Sequence, residues 1–178
     1  MIELEEAKKL SQELMKTYWQ KVIDRIYTNP VLMRHLGCRP EIYFREMKGD
    51  EGGRCHYAGW IEINMRYFPE NDMRFIEEVV RHEISHAIAH RIYKSTGHDK
   101  PFYEVLTYLG GEHRRCLPGW VNDPVPRKDG VERKRYVCNK CGRIHYLSKR
   151  IINDVLEWGT PRFCVNCNNM LQNFISES

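Results

Sequence analysis

The chain has 178 residues, of which 42% are hydrophobic and 29% charged, with a formal net charge of +4. That length allows one domain, or one domain plus a small module, with a real apolar core. No apolar run approaches the roughly 18 residues of a membrane span, and the acidic start Glu3-Leu4-Glu5-Glu6 lacks the basic head and apolar stretch of a signal peptide, so an intracellular protein is expected.

Leu4, Ala7, Leu10 or Ser11, Leu14, Tyr18, Val22 and Ile26 recur at three- and four-residue steps. They predict an amphipathic helix over residues 3–28, stopped by Asn29-Pro30 and covering one side of the sheet that follows. Ile42, Phe44 and Met47 open a strand-like stretch, and Gly49-Asp50-Glu51-Gly52-Gly53 is a turn cluster. Arg54 to Ala58 and Trp60 to Met65 read as two further short strands around Gly59, giving a three-stranded antiparallel meander. Tyr67-Phe68-Pro69 leads into the next element.

Phe75, Ile76, Val79, Val80, Ile84, Ala87 and Ile88 form an apolar stripe that predicts a long helix from about Asn71 to Thr96. Asn71 or Asp72 can cap its start, and Gly97 is placed to end it. On it lies His82-Glu83-Ile84-Ser85-His86, the HExxH pattern. Residues four apart share a helix face, so His82 and His86 can point at one ion, with Glu83 close enough to take a proton from a metal-activated water. A catalytic zinc needs a third protein ligand. His90 is eight residues from His82, roughly 12 Å along a straight helix axis, too far for one ion. The third ligand therefore follows a chain reversal at Gly97. His98 is the leading candidate, with Glu104, Glu112 and His113 as alternatives, and His90 falls to a supporting or surface position.

Residues from Pro101 to Leu109 predict a short helix with Phe102, Val105, Leu106 and Leu109 inward, ended by Gly110-Gly111. The stretch Glu112–Trp120 is irregular, and Pro118, Pro124 and Pro126 mark a linker, which puts a module boundary near residue 126. Beyond it, Cys138-Asn139-Lys140-Cys141 and Cys164-Val165-Asn166-Cys167 are separated by 22 residues. Two such turns supply four thiolates to a closed structural zinc site, and Gly142 and Asn168 after each second cysteine tolerate the left-handed backbone of such knuckles. His145 is not needed as a ligand. The remaining Cys38, Cys55 and Cys116 are odd in number, which argues against a disulfide framework and for small buried apolar residues.

Residues 1–125 hold 18 Lys/Arg against 19 Asp/Glu, whereas residues 126–178 hold 10 against 5. The whole basic surplus lies with the cysteine pairs. Arg133, Lys134, Arg135, Lys140, Arg143, Lys149 and Arg150 can neutralise phosphates, and Tyr146 or Trp158 can stack on unpaired bases. Single-stranded DNA is the expected partner; a merely solvated basic face is the alternative.

HExxH, a short helix end, then Gly97-His98-Asp99-Lys100-Pro101-Phe102 and a downstream four-cysteine motif resemble the SprT-like family, which includes the Spartan proteases, over about residues 5–172. Asp99 stands where that family usually has Gly. The resemblance implies an α+β chain: a zincin-like metalloprotease domain over residues 1–125, helices plus the small antiparallel sheet, followed by a zinc-ribbon module over residues 126–178. It implies that the sheet lies beside the active-site helix and that its edge can pair with extended substrate. It also implies a zinc endopeptidase acting on DNA-bound or DNA-crosslinked proteins, with two zinc ions. His82, His86 and His98 would hold the catalytic one and Cys138, Cys141, Cys164 and Cys167 the structural one, with Glu83 as general base. Two other expectations remain: a catalytically silent DNA-binding zinc protein, and a protease dedicated to one regulatory protein.

Overall fold

A computed structural model describes residues 1–114, 116–127 and 130–175. The chain divides into two compact units. The larger comprises Ile2–Met65 and Asp72–Leu117; the other comprises Met1, Arg66–Asn71 and the chain from Pro118 onwards.

In the larger unit, helix α1 (Leu4–Ile26) buries Ala7, Ser11, Met15, Tyr18, Trp19, Val22 and Ile26. The stripe runs through Ser11 and Met15, not Leu10 and Leu14, and the Ser11 hydroxyl satisfies itself on the Ala7 carbonyl. A second helix, α2 (Pro30–Leu36), follows at once. Asn29-Pro30, read from sequence as a stop, is also a start. Asn29 Oδ1 accepts the N–H groups of Val31 and Leu32, each at 3.1 Å, and Pro30 occupies the first turn, where no N–H is needed.

Strands β1 (Glu41–Arg45), β2 (Gly53–His56) and β3 (Trp60–Asn64) form a sheet in the order β1-β3-β2. The expected antiparallel meander is not what forms. β1 pairs with β3 in parallel, Ile42 opposite Ile61 and Phe44 opposite Ile63, while β2 is antiparallel to β3. The reason lies in residues 46–52, too long for a tight hairpin. They carry the chain across the place that β3 later fills. Asn64, fully buried, organises that crossing: its Oδ1 accepts the Met47 N–H at 3.2 Å and its Nδ2 donates to the Glu51 carbonyl at 2.9 Å. Ile61 and Ile63, with no exposed surface, take the centre, leaving the shorter β2 at an edge.

Helix α3 (Met73–Tyr93) packs against α1, β2 and β3. Asp72 caps it, its side chain accepting the Arg74 N–H. Phe75, Ile76, Val79, Val80, Ile84, Ala87 and Ile88 are all buried, as the stripe predicted. Helix α4 (Lys100–Tyr108) closes the unit, with Phe102, Val105 and Leu106 inward. Large apolar side chains buried this fully stabilise by about 1.5–3 kcal/mol each.

The other unit holds a hairpin, β4 (Arg133–Val137) with β5 (Ile144–Ser148), then α5 (Lys149–Leu156) and α6 (Gln172–Ile175). Its core is small: Tyr136, Leu147, Val155, Leu171, Phe174 and Ile175 around Cys138 and Cys164. Of the three unassigned cysteines, Cys38 and Cys116 are exposed and Cys55 half-buried, against the expectation of buried apolar residues. Cys38 and Cys116 fall in irregular segments with no apolar face to join. No helix among the described residues is long and apolar enough to cross a membrane.

Candidate metal centres

His82 and His86 project from one face of α3, their ring centroids 5.0 Å apart. The reversal that brings the third imidazole is made at Lys94, not Gly97. Lys94 takes the left-handed conformation, φ 60°, and ends the helix three residues earlier than expected. His90 serves this turn: its Nδ1 lies 3.2 Å from the Ser95 carbonyl and its ring stacks on Tyr57 at 4.0 Å. Tyr57 in turn donates its hydroxyl to the Thr96 carbonyl at 3.0 Å. Ser95 donates to Asp99 Oδ1 at 2.5 Å, and the same oxygen accepts the Phe102 N–H, capping α4. The Lys94–Asp99 segment is thus tied down on both sides of His98.

His98 Nε2 then lies 3.0 Å from His82 Nε2 and 3.2 Å from His86 Nε2. Tetrahedral bonds of about 2.0–2.1 Å to zinc would space ligand nitrogens by about 3.3–3.4 Å, so the trio fits such an ion to within a few tenths of an ångström. Glu104, Glu112 and His113 are not part of it: among the described residues only His82, His86 and His98 gather here. His113 instead stacks on Tyr103 at 3.7 Å. Phe102, with no exposed surface, forms the floor under all three rings, its centroid 5.0, 4.2 and 4.7 Å from those of His82, His86 and His98. Burial, and then like charge, push the imidazoles down, His82 to about 4 and His86 to about 3, so both are neutral at pH 7 and present lone pairs.

Glu83 is buried beside them. Burial pushes its carboxyl up to about 8, outweighing the hydrogen bond that it accepts from the Cys55 N–H on β2. The strand reaches this close because Gly53 has no side chain. A Cβ there would stand 2.9 Å from Glu83 Cγ, 2.5 Å from Val79 Cγ1 and 2.9 Å from the Glu62 carbonyl. Gly53 was legible only as a turn residue and Tyr57 only as a strand residue, with no signal tying either to the histidines; Phe102 stood with His98 in the Gly97–Phe102 segment but was read only as a core residue.

In the other unit, Cys138, Cys141, Cys164 and Cys167 bring four sulfurs within 4.8 Å of one another. The pairs Cys138–Cys167 and Cys141–Cys164 stand at 3.7 and 3.6 Å, close to the roughly 3.8 Å edge of a tetrahedron with zinc–sulfur bonds of about 2.3 Å. Gly142 and Asn168 both adopt positive φ, 73° and 56°, as the knuckle reading predicted. Backbone N–H groups of Lys140 and Cys141 point at Cys138, and those of Asn166 and Cys167 at Cys164. His145 is not one of the four, yet its Nε2 lies 3.4 Å from Cys164 Sγ and its Nδ1 3.5 Å from Asp123. Long-range pairing of this kind leaves no sequence signal.

The basic candidates divide in two. Lys134, Lys140, Lys149, Arg150 and Trp158 are exposed, and Arg133 is half-exposed. Arg135 pairs with Glu70 at 2.9 Å, Tyr146 donates to the same carboxylate at 2.6 Å, and Arg143, nearly buried, is bound to Asp123 at 2.8 Å. These three are engaged within their own unit.

The model of the SprT-like family matches residues 11–119. Protein SprT-like of Enterococcus faecalis is 31% identical over 117 residues, covering 56% of this chain and 75% of that protein. Protein SprT of Proteus mirabilis is 29% identical over 128 residues, 70% of this chain and 73% of that one. Protein SprT of Photorhabdus laumondii is 29% identical over 170 residues, 91% and 79% of the two. No solved structure matches the chain.

Proposed function

The chain belongs to the SprT-like family, and from that membership and its two candidate metal centres we propose that it is a zinc-dependent endopeptidase acting on proteins held on DNA. The observation that carries the reading is the convergence of three imidazoles beside a buried carboxylate, Glu83, under an edge strand. Zinc held by His82, His86 and His98 would supply Lewis acidity and bring the pKa of a coordinated water towards neutrality. Glu83 is the proton acceptor: the Cys55 N–H orients its carboxylate, and burial raises its proton affinity above that of an ordinary carboxylate. Once protonated, it can return the proton to the leaving amine. The edge of β2 offers backbone groups to an extended substrate, which would fix the scissile bond over the histidines. The four cysteines would hold a second, structural zinc in a ribbon module, and the exposed Lys134, Lys140, Lys149, Arg150 and Trp158 are the groups offered to single-stranded DNA.

The test is cleavage of a DNA-binding protein with and without single-stranded DNA, with Glu83→Gln as control. Cleavage that DNA stimulates, that weakens with salt and that Glu83→Gln reduces by roughly 10²–10⁴-fold is expected. No difference between wild type and Glu83→Gln would remove the endopeptidase. A protease dedicated to one protein is the second reading, favoured by the engagement of Arg135, Arg143 and Tyr146 within their own unit. Equal cleavage with and without DNA at low salt would select it.

A further inference from the structure

The larger unit holds a cavity of about 890 Å³ that reaches His98. Val22 and Ile26 of α1, Ile88 and Ile92 of α3 and Val105 of α4 line it, and its other margin is the stacked pair Tyr103 and His113. Nothing in the arrangement of the three histidines requires such a space. It is too large for a packing defect and within the range of ligand sites, about 300–1,000 Å³.

Its electrostatics choose the occupant. Each cation on the wall has a partner within the wall. Lys100 faces Glu104 at 3.8 Å, and Arg25 lies over the Tyr108 ring at 4.5 Å, while Tyr108 is braced by donating its hydroxyl to the Lys21 carbonyl at 3.0 Å. Asp99 is taken up by Ser95 and the Phe102 N–H. The wall therefore carries two positive and two negative side chains, and its floor is aliphatic. A charged guest would lose its hydration for no net partner, whereas an apolar guest loses only unfavourable contact with water.

We propose that this cavity is a specificity pocket that receives a large apolar or aromatic side chain of the substrate polypeptide, next to the bond being cut. The inference rests on the endopeptidase reading. His98 belongs both to the candidate metal centre and to the cavity wall, so a side chain in the cavity lies within a residue or so of a carbonyl held at the centre. The volume admits even the largest side chains with room to spare, and the stacked Tyr103–His113 pair gives the cavity an aromatic margin.

The experiment uses the full zinc-loaded chain with single-stranded DNA present and unfolded casein as probe, its cleavage sites read by mass spectrometry. Enrichment of Phe, Tyr, Trp, Leu or Met at one fixed position beside the cut is expected. Two synthetic peptides that differ only there, Phe against Ala, should differ in kcat/KM by roughly 10–200-fold. Val105→Phe and Ile92→Phe, which narrow the cavity, should lower that ratio severalfold while zinc content and circular dichroism stay unchanged and the Ala peptide is still cut. Ile92 is the less buried wall and serves if Val105→Phe does not fold. Cleavage with no positional preference, a preference for charged residues, or a preference that both narrowed variants keep undiminished would overturn the pocket and leave the endopeptidase standing. Cleavage no faster than that of Glu83→Gln would instead overturn the endopeptidase, and the pocket with it.

Discussion

His98 and His90 are separated by eight residues and by their roles. Both lie after the HExxH pair, and only helix rise and the reversal at Lys94 tell them apart. His98 contributes a nitrogen to the trio, whereas His90 holds the turn through the Ser95 carbonyl and the Tyr57 ring. His98→Ala should therefore remove one zinc and all peptidase activity. His90→Ala should keep both zincs and lose only a modest part of stability, on the order of 1 kcal/mol for one hydrogen bond and one ring contact. Zinc analysis together with thermal melting checks this, and loss of zinc in His90→Ala with retention in His98→Ala would reverse the assignment.

The edge strand β2 is the element on which the proposed chemistry depends most. Its backbone lies against Glu83 because residue 53 is glycine, and it supplies the Cys55 N–H to the carboxylate. Gly53→Ala places a methyl among Val79, Glu83 and the Glu62 carbonyl. The last is backbone and cannot step aside. Overpacking of this kind destabilises by about 1–3 kcal/mol. If the relief comes from Glu83 moving by about 1 Å, kcat should fall on the order of 100-fold while zinc content holds. A variant with wild-type kcat would mean that the strand shifts without disturbing the base. The element scale is also where sequence reading stopped short. Alternation in Trp60–Asn64 identified β3, but pairing partners depend on where residues 46–52 cross, and the buried Asn64 that organises the crossing looks from sequence like any polar strand residue.

Across the whole molecule, each unit has its own candidate centre and its own core, so metal removal should act in two stages. Purified protein should bind about two zinc ions. A chelator should strip the three-histidine centre, whose three ligands would leave a zinc position to solvent, before the four-cysteine centre, whose ligands would complete the shell. Loss of the second ion should unfold the cysteine-bearing unit, whose apolar core is too small to stand alone. One zinc per chain in a fully loaded preparation would refute this. The same unit should show an acid limit set by Glu70. The Arg135 guanidinium foremost, with the Tyr146 hydroxyl, holds its carboxyl below the ordinary 4.5 against the opposing effect of burial. A depressed folded value means that the stabilisation is fully present above the unfolded value and is lost as pH falls through the folded one. Glu70→Gln should therefore lower stability in urea at pH 6 by about 1 kcal/mol, given that Arg135 is half-exposed, and the gap to wild type should close as pH falls through the folded pKa of Glu70. A gap that persists at low pH would show that the pair contributes through packing.

The sequence by itself determined what is local. Helical periodicity placed α1, α3 and α4, the four-residue spacing put His82 and His86 on one face, helix rise excluded His90, and the two Cys-x-x-Cys turns with their left-handed followers laid out the second centre. Each of these follows from backbone geometry over a few residues. The tertiary structure alone decided what depends on residues far apart in the chain: the parallel pairing of β1 with β3, the approach of Gly53 and Cys55 to Glu83, the cavity beside His98, and the capture of Arg135 and Tyr146 by Glu70. The physical reason is that burial and charge pairing are properties of the environment. Glu70 lies 65 residues before Arg135 and 76 before Tyr146, and no local pattern records that a carboxylate so distant would claim two side chains otherwise suited to a phosphate or a base.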